Sequence, residues 1–305
     1  MQRMSLDPKS FTPTSAEQRA PRHWGQERRL EFIDYRLRWD GRINRSDLTG
    51  FFGISVPQAS LDIAKYLELS PKNALYDRSS KVYVATDAFQ PLYSTNEPSR
   101  YLNEALARAS GVLPAELSFL GWAAPMAIAP NPGRSVPAEV LIQLLRAIRE
   151  KRKSHILYQS MSSSEPMTRM VAPHALGYDG FRWHVRALCE TRKKYLDFVI
   201  ARILRIELMA DEGTDGSDDE AWHQELNLVL IPNPRLPEAN RKVIELDYGM
   251  SNGEVTLRCR QALLFYALKR LGLLDVEGAR PQDQQIVLKN MNELLPYLPS
   301  STAPR

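Results

Sequence analysis

The chain has 305 residues, 43% apolar and 25% charged, with 15 Gly, 21 Pro and 9% aromatics, which fits a globular protein of about two or three domains and excludes collagen-like, low-complexity and wholly disordered chains. The longest weakly charged stretch, Phe119 to Pro132, is interrupted by Pro125 and Pro130 and falls short of the ~20 residues a membrane helix needs; with no apolar run near the N-terminus to read as a secretory signal, the expectation is a cytoplasmic, nucleoid-associated protein with no membrane partner. Net charge is only +4, yet residues 146–205 carry thirteen Lys and Arg against five Asp and Glu, and residues 207–225 carry eight acids and no Lys or Arg, so the basic middle is either a site for an anionic partner or a solvated cationic face.

Residues 1–22, punctuated by Pro8, Pro13 and Pro21, read as a flexible arm. From Trp24 to Trp39, Leu30, Ile33 and Leu37 recur at helical spacing before Gly41. Asn44 is placed to cap a second helix, Arg45 to Phe52, with Asp47 at its positive end and Gly53 as its stop. Ser55-Val56-Pro57-Gln58 then forms a capping-box pattern in which Ser55 caps and Gln58 reaches back. In the third helix Val56, Ile63 and Leu67 are read as the buried face, and Gln58, Asp62 and Lys65 as displayed. Leu75 to Val84 reads as a hairpin with the basic tip Arg78-Ser79-Ser80-Lys81. Three helices and a hairpin give the winged helix-turn-helix order over 23–90.

Residues 91–136 hold a helix from Ser99 to Ala109 and a Pro/Gly-rich passage, read as a connector. Pro137 to Lys153 is predicted as a helix with Val140, Leu141, Leu144, Leu145 and Ile148 on one face. The period then becomes strand-like: His155 to Ser160, Met170 to Leu176, Phe181 to Cys189 and Tyr195 to Ile206, with a turn at Gly177-Tyr178-Asp179-Gly180. Sequential short strands suggest a small antiparallel sheet or barrel within 137–215. Asp211 to Glu220 reads as a solvated loop. The remaining segment, 221–305, carries strands near Val243–Asp247 and Glu254–Arg260 and a helix from Gln261 to Leu271, a small α/β unit. The fold class is α+β.

The stretch Tyr158 to Arg202 is the most distinctive: Ile156-Leu157-Tyr158, Arg169 ahead of Pro173-His174, then Arg182-Trp183-His184-Val185-Arg186-Ala187 and Asp197-Phe198-Val199-Ile200-Ala201-Arg202-Ile203. With the winged helix before it and the α/β segment after it, this order resembles the WYL-domain transcriptional regulators of bacteria. Trp183-His184-Val185 stands where that family has Trp-Tyr-Leu, and His184 keeps the capacity to donate a hydrogen bond. Ser160, His174, Arg186 and Arg202 are similar to the pattern of the BrxR/CapW branch, whose members are repressors associated with phage-defence gene clusters. The resemblance implies a homodimer, a central Sm/SH3-like β-barrel that senses a nucleic-acid or nucleotide effector, a C-terminal dimerisation domain, and repression of a phage-defence operon of the BREX or CBASS kind.

Two sites follow. In the first, the third helix would enter the major groove of double-stranded operator DNA. Ser55 caps that helix, Gln58 and Ser60 lie near base edges, and Gln suits adenine N6 and N7. Lys65, Arg45, Arg29 and the tip residues Arg78, Ser79 and Lys81 lie toward phosphates. Asp62 fits badly beside phosphate and is expected to order Lys65 or accept from cytosine N4. In the second, Ser160, His174, Arg186 and Arg202 would offer a hydroxyl, an imidazole and two guanidinium forks to a phosphate. Tyr158, Trp183 and His184 complete that ligand set, with Tyr158 or Trp183 stacking a base. Each residue also has a plain structural reading: the arginines as ion pairs with Asp197 or Glu190, His174 as a satisfied structural histidine, Trp183 as core. Cys189 and Cys259 are expected to be buried thiols, too few for a disulfide framework or a zinc site.

No catalytic residue, metal or cofactor is expected. Ser160 lacks a nucleophile-elbow context, His174 and His184 have no carboxylate at metal-ligand spacing, and there is no Gly-rich phosphate loop. A nucleic-acid-sensing activator or binding scaffold is the alternative to a repressor, since those roles differ in operator position and not in fold.

Overall fold

The computed structural model describes residues 25–130, 132–274 and 279–298, so the predicted arm, 1–22, and Trp24 lie outside the described residues. The chain divides into two compact units, 1–131 and 132–305.

The first unit runs α1 (Gln26–Asp40), β1 (Arg42–Ile43), α2 (Arg45–Phe52), α3 (Val56–Leu69), β2 (Ala74–Asp77), β3 (Val82–Ala85) and α4 (Pro98–Ala109). Local chemistry sets the helix ends. The Asn44 side chain accepts from the Asp47 amide at 2.9 Å while the Asp47 carboxylate accepts from the Asn44 amide at 2.8 Å, so two backbone donors without helical partners are satisfied reciprocally. Gly53, at φ 66°, closes α2 by donating to the Thr49 carbonyl at 3.0 Å, a left-handed position that favours glycine. The hairpin forms with Tyr76 opposite Tyr83, and β1 adds a third strand to it, order β1-β3-β2. No reading of the sequence anticipates β1, because two residues show no alternation.

Leu30, Phe32, Ile33, Tyr35 and Leu37 of α1 anchor the core of this unit. The segment read as a connector packs into the same core: Ala105, Phe119 and Leu120 belong to it. Asp34, fully buried, ties that segment down by accepting from Tyr66 Oη at 2.7 Å, the Leu92 amide at 3.0 Å and Asn96 Nδ2 at 2.9 Å.

The second unit opens with α5 (Ala138–Arg149), followed by β4 (Arg152–Tyr158), β5 (Met167–Tyr178), β6 (Trp183–Cys189), β7 (Lys194–Val199), a 3-10 turn over Ile200–Arg202 and β8 (Ile203–Glu212). The helix stops sooner than predicted, since Lys151 takes φ 50° and turns the chain into β4. On it Val140, Leu144 and Ala147 face the core while Leu145 is exposed. The segment read as one strand, Tyr195 to Ile206, is two strands broken by the 3-10 turn. The five strands pair in the order β7-β6-β5-β4-β8, each pair antiparallel. Its two edge strands are therefore joined by three residues spanning roughly 6 Å, the connectivity that the expected small barrel requires. Val140 and Leu144 pack with Ile156, Val171, Val185, Ala187, Phe198, Ile200 and Ile203 in its core.

The rest comprises α6 (Glu220–His223), β9 (Glu225–Pro232), α7 (Glu238–Asp247), β10 (Val255–Arg260), a 3-10 turn, α8 (Leu264–Arg270), β11 (Ile286–Leu288) and α9 (Met291–Leu294), with β9 central in the sheet β10-β9-β11. Two expectations are corrected. Val243–Asp247 is not a strand but the end of α7, which starts after Pro237 and buries Ile244; the aliphatic run misled the period. Cys259 is only half-buried, whereas Cys189 is fully buried. No described helix is long and apolar enough to cross a membrane.

Candidate functional site

The first surface is the outward side of α3. The buried positions are Ala59, Asp62, Ile63 and Tyr66, a stripe at i, i+3, i+4 and i+7. The face is thus rotated from the predicted one: Val56 is 57% exposed and Leu61 63% exposed, while Asp62, read as displayed, is sealed in. Its carboxylate accepts from Arg29 Nε at 2.6 Å and Nη2 at 3.2 Å, from Gln26 Nε2 at 3.3 Å and from Gln58 Nε2 at 3.1 Å. A buried carboxylate is tolerated only when paired in this way. Three readings change as a result. Asp62 neither orders Lys65, whose ammonium meets Glu68 at 3.0 Å, nor faces a base. Arg29 is held against α3 by this pair, its side chain only 12% exposed. Gln58 does not reach back to complete a capping box; Ser55 alone caps, accepting from the Gln58 amide at 3.4 Å.

Arg45 and Ser60, predicted separately, are brought together: Arg45 Nε donates to Ser60 Oγ at 2.8 Å, and Ser60 Oγ donates to the Val56 carbonyl at 3.0 Å. Arg78, Ser79 and Lys81 are exposed at the hairpin tip. Asp77 shapes that tip by accepting from the Ser79 amide at 2.8 Å, and Lys81 takes φ 57°. Leu61, absent from the predicted set, stands on the displayed face; its sequence signal was its position three residues after Gln58 and three before Ala64.

The second site is on the barrel. Alternation along β6 puts Val185, Ala187 and Cys189 in the core, leaving His184 and Arg186 on the opposite face. Asp197 is the register partner of Arg186 on β7 and accepts from its Nη1 at 3.2 Å. In β5 the pairing shifts between Pro173 and Ala175, and this bulge re-aims His174. Both His174 and Arg186 converge on one carboxylate, Asp219. It accepts from Arg186 Nε at 2.7 Å and Nη2 at 2.9 Å and meets His174 Nε2 at 2.9 Å. A carboxylate only accepts, so Nε2 carries the proton. The expectation that Asp211–Glu220 is a solvated loop therefore fails at its end, where Asp219 is 2% exposed.

Burial pushes the Asp219 carboxyl up, but hydrogen bonds and charge from Arg186 and His174 outweigh it and hold the acid below its ordinary range. Burial lowers the His174 imidazole, with Asp219 restoring only part of the loss. Burial raises the Asp197 carboxyl despite Arg186. Arg186 thus already faces two carboxylates: Asp197, the ion pair of its plain structural reading, and Asp219, which that reading did not include.

The other predicted ligand residues lie elsewhere. Ser160 is bonded to Ser163 at 2.8 Å. Arg202 sits in the 3-10 turn with its carbonyl accepting from the Gln159 amide at 3.1 Å, and its guanidinium has no ion pair among the described residues. Tyr158 is buried in the barrel core, its ring 5.2 Å from Phe198 and its hydroxyl accepting from the Val199 amide, so it presents no face to a base. Trp183 shows the reverse: it is 50% exposed, its ring 4.8 Å from that of the equally exposed Tyr178 and tilted 33° to it. His184 is buried, with Nε2 3.0 Å from Asp179 and its ring 4.8 Å from Tyr266 of α8. Burial raises Asp179, but His184 and the amides of Phe181 and Arg182 prevail and bring it to about 2. Glu190 pairs with Lys153 and Lys193 instead of an arginine. Among the described residues no cluster of His, Cys, Asp and Glu is arranged to hold a metal ion.

Comparisons with known proteins match three stretches of the chain. Residues 25–107 match the model of the BrxR transcriptional regulator winged helix-turn-helix domain, 139–208 that of the WYL domain, and 225–294 that of the BrxR transcriptional regulator C-terminal dimerization domain. The DNA-binding transcriptional repressor CapW of Escherichia coli (strain KTE188) is 48% identical over 279 residues, 90% of this chain and 92% of its own. That of Pseudomonas aeruginosa is 46% identical over 288 residues, 94% and 96% of the two chains. Among solved structures, the proteasome accessory factor B/C (PafBC) of Arthrobacter aurescens aligns with 95% of this chain and 50% of its own at 14% identity, with a TM-score of 0.26.

Proposed function

The chain belongs to the CapW family of WYL-domain transcriptional regulators, and from that membership we propose that it is a homodimeric, sequence-specific DNA-binding repressor of a phage-defence operon, released from its operator by a nucleic-acid or nucleotide effector bound at the WYL domain. The observation that carries the DNA-binding part is the displayed side of α3, with Ser60 and Leu61 outward, Arg45 beside Ser60, and the cationic hairpin tip in the same unit. In a major groove Gln58 and Ser60 would hydrogen-bond base edges and Leu61 would meet a thymine methyl. Arg45, Lys65, Arg78, Ser79 and Lys81 would position the protein on phosphates. Arg29 would act through Asp62, which holds Gln58.

The effector part is supported by the chemistry of Arg186 and His174, a fork and a donor able to take a phosphate oxyanion, with Trp183 exposed on the same barrel as a stacking surface. Dimerisation rests on the C-terminal unit, and two copies would read two half-sites. Repression is separated from activation by a promoter reporter for the operon beside this gene. Low expression with the native chain and high expression with Gln58→Ala combined with Ser60→Ala fits a repressor; expression that rises with the native chain means an activator.

A further inference from the structure

We propose that Asp219 is a built-in competitor for the effector, a tethered carboxylate that fills the anion site of Arg186 and His174 until a phosphate-class oxyanion ejects it. The inference rests on the reading of the barrel as an effector site and adds what occupies that site beforehand and what moves when it is taken.

Four observations converge. The first is chemical: Asp219 engages Arg186 through both Nε and Nη2, the two-pronged geometry with which a guanidinium also takes phosphate. The second is its delivery. Asp219 does not belong to the barrel strands but arrives on the segment between β8 and α6. That segment is seated by Gly216, whose φ is 79° and where a Cβ would collide with the His174 ring. The third is charge. Arg186 keeps Asp197 when Asp219 leaves, so an incoming oxyanion replaces one of two carboxylates and does not strand the guanidinium. Neighbouring Asp215, Asp218 and Glu220 are exposed acids of the same segment, and a polyanion at the site would repel them.

The fourth is the output. Asp219 is continuous with α6, and the Trp222 and His223 amides donate to the Asp219 carbonyl at 3.0 and 3.2 Å. The Arg260 guanidinium lies 4.8 Å over the Trp222 ring, and the Gln261 amide donates to the Gln224 carbonyl at 2.9 Å. Expelling Asp219 therefore loads the first register pair of the C-terminal sheet, Glu225 with Arg260.

The test uses the full chain and one probe, 5′-phosphorylated hexathymidylate with a 3′ fluorophore, read by anisotropy. Asp219→Asn keeps the side chain's shape and removes its charge. It should bind the probe about tenfold tighter than native, a shift of about 1.4 kcal/mol, and adding Arg186→Ala should abolish the gain. Amide exchange on the native chain is the second readout: saturating probe should speed exchange at Asp219, Trp222, His223 and Gln224. If native protein binds the probe and Arg186→Ala weakens it, yet Asp219→Asn gives no tightening or exchange at 219–224 stays unchanged, the competitor is wrong and the anion site stands. Should Asp219→Asn fail to fold, the exchange readout on native protein decides alone. Absence of binding by native and Asp219→Asn alike overturns the anion site and the competitor with it.

Discussion

At the scale of residues, two carboxylates organise both sites, and each is invisible to periodicity because its partner is far away in sequence. Asp62 sits on a helix read as half displayed, and only a guanidinium 33 residues earlier makes its burial possible. Arg29→Ala would leave that charge unpaired and should cost about 3 kcal/mol of stability by urea unfolding; a loss under 1 kcal/mol would show that solvent reaches Asp62. For the DNA surface, Gln58→Ala should cost about 1–3 kcal/mol at one base pair with an unchanged salt slope. Lys81→Ala should instead weaken all duplexes evenly and lower the salt slope by about 1. On the barrel, the fold holds the His174 pKa below its ordinary value, so the unfolded chain binds more protons. Stability present above pH ~6.5 should then fall as pH drops through that value toward the folded pKa. His174→Gln should flatten this part of the thermal midpoint profile between pH 7.5 and 5.5, and an identical profile would refute it.

Elements were legible where a local signal sufficed. Asn44, Gly53 and Ser55 mark helix ends through groups within a few residues, and the α2 boundaries, Arg45 and Phe52, are the predicted ones. Legibility failed where tertiary context overrode the local pattern: α7 looks like a strand because Val243, Ile244 and Leu246 cluster, and β9 gave no separate signal after the acidic run. At the barrel site His174 and Arg186 were legible as chemistry, but Asp219 was not, since nothing local distinguishes it from Asp215 and Asp218. Trp183 was open to a core reading and proved exposed, while Tyr158 was open to stacking and proved buried. The Asp34 network shows an element pinned by polar groups: it joins α1, α3 and the segment after β3. Asp34→Ala leaves Tyr66 Oη, Asn96 Nδ2 and the Leu92 amide without their acceptor, each costing about 1–3 kcal/mol. The first unit should lose at least about 3 kcal/mol by denaturant unfolding, with m-values unchanged; near-native stability would mean that water replaces the carboxylate.

For the whole molecule, the account requires that two chains present two α3 helices to one operator and that an anion on the WYL domain alters their common affinity. Linkage makes this reciprocal: an effector that weakens operator binding must itself bind less well to the operator complex. The proposed dimer should sediment with the mass of two chains at the concentrations that retard DNA. The most direct measurement is a gel-shift titration of the full chain on duplex DNA from upstream of its own gene, against a shuffled duplex of equal composition, across a salt series. The account predicts saturable binding to the upstream duplex at physiological salt, tighter than the shuffled one by about a thousandfold or more. Equal affinity for both duplexes, falling together as salt rises, would contradict it and leave a basic protein that holds phosphates without reading sequence.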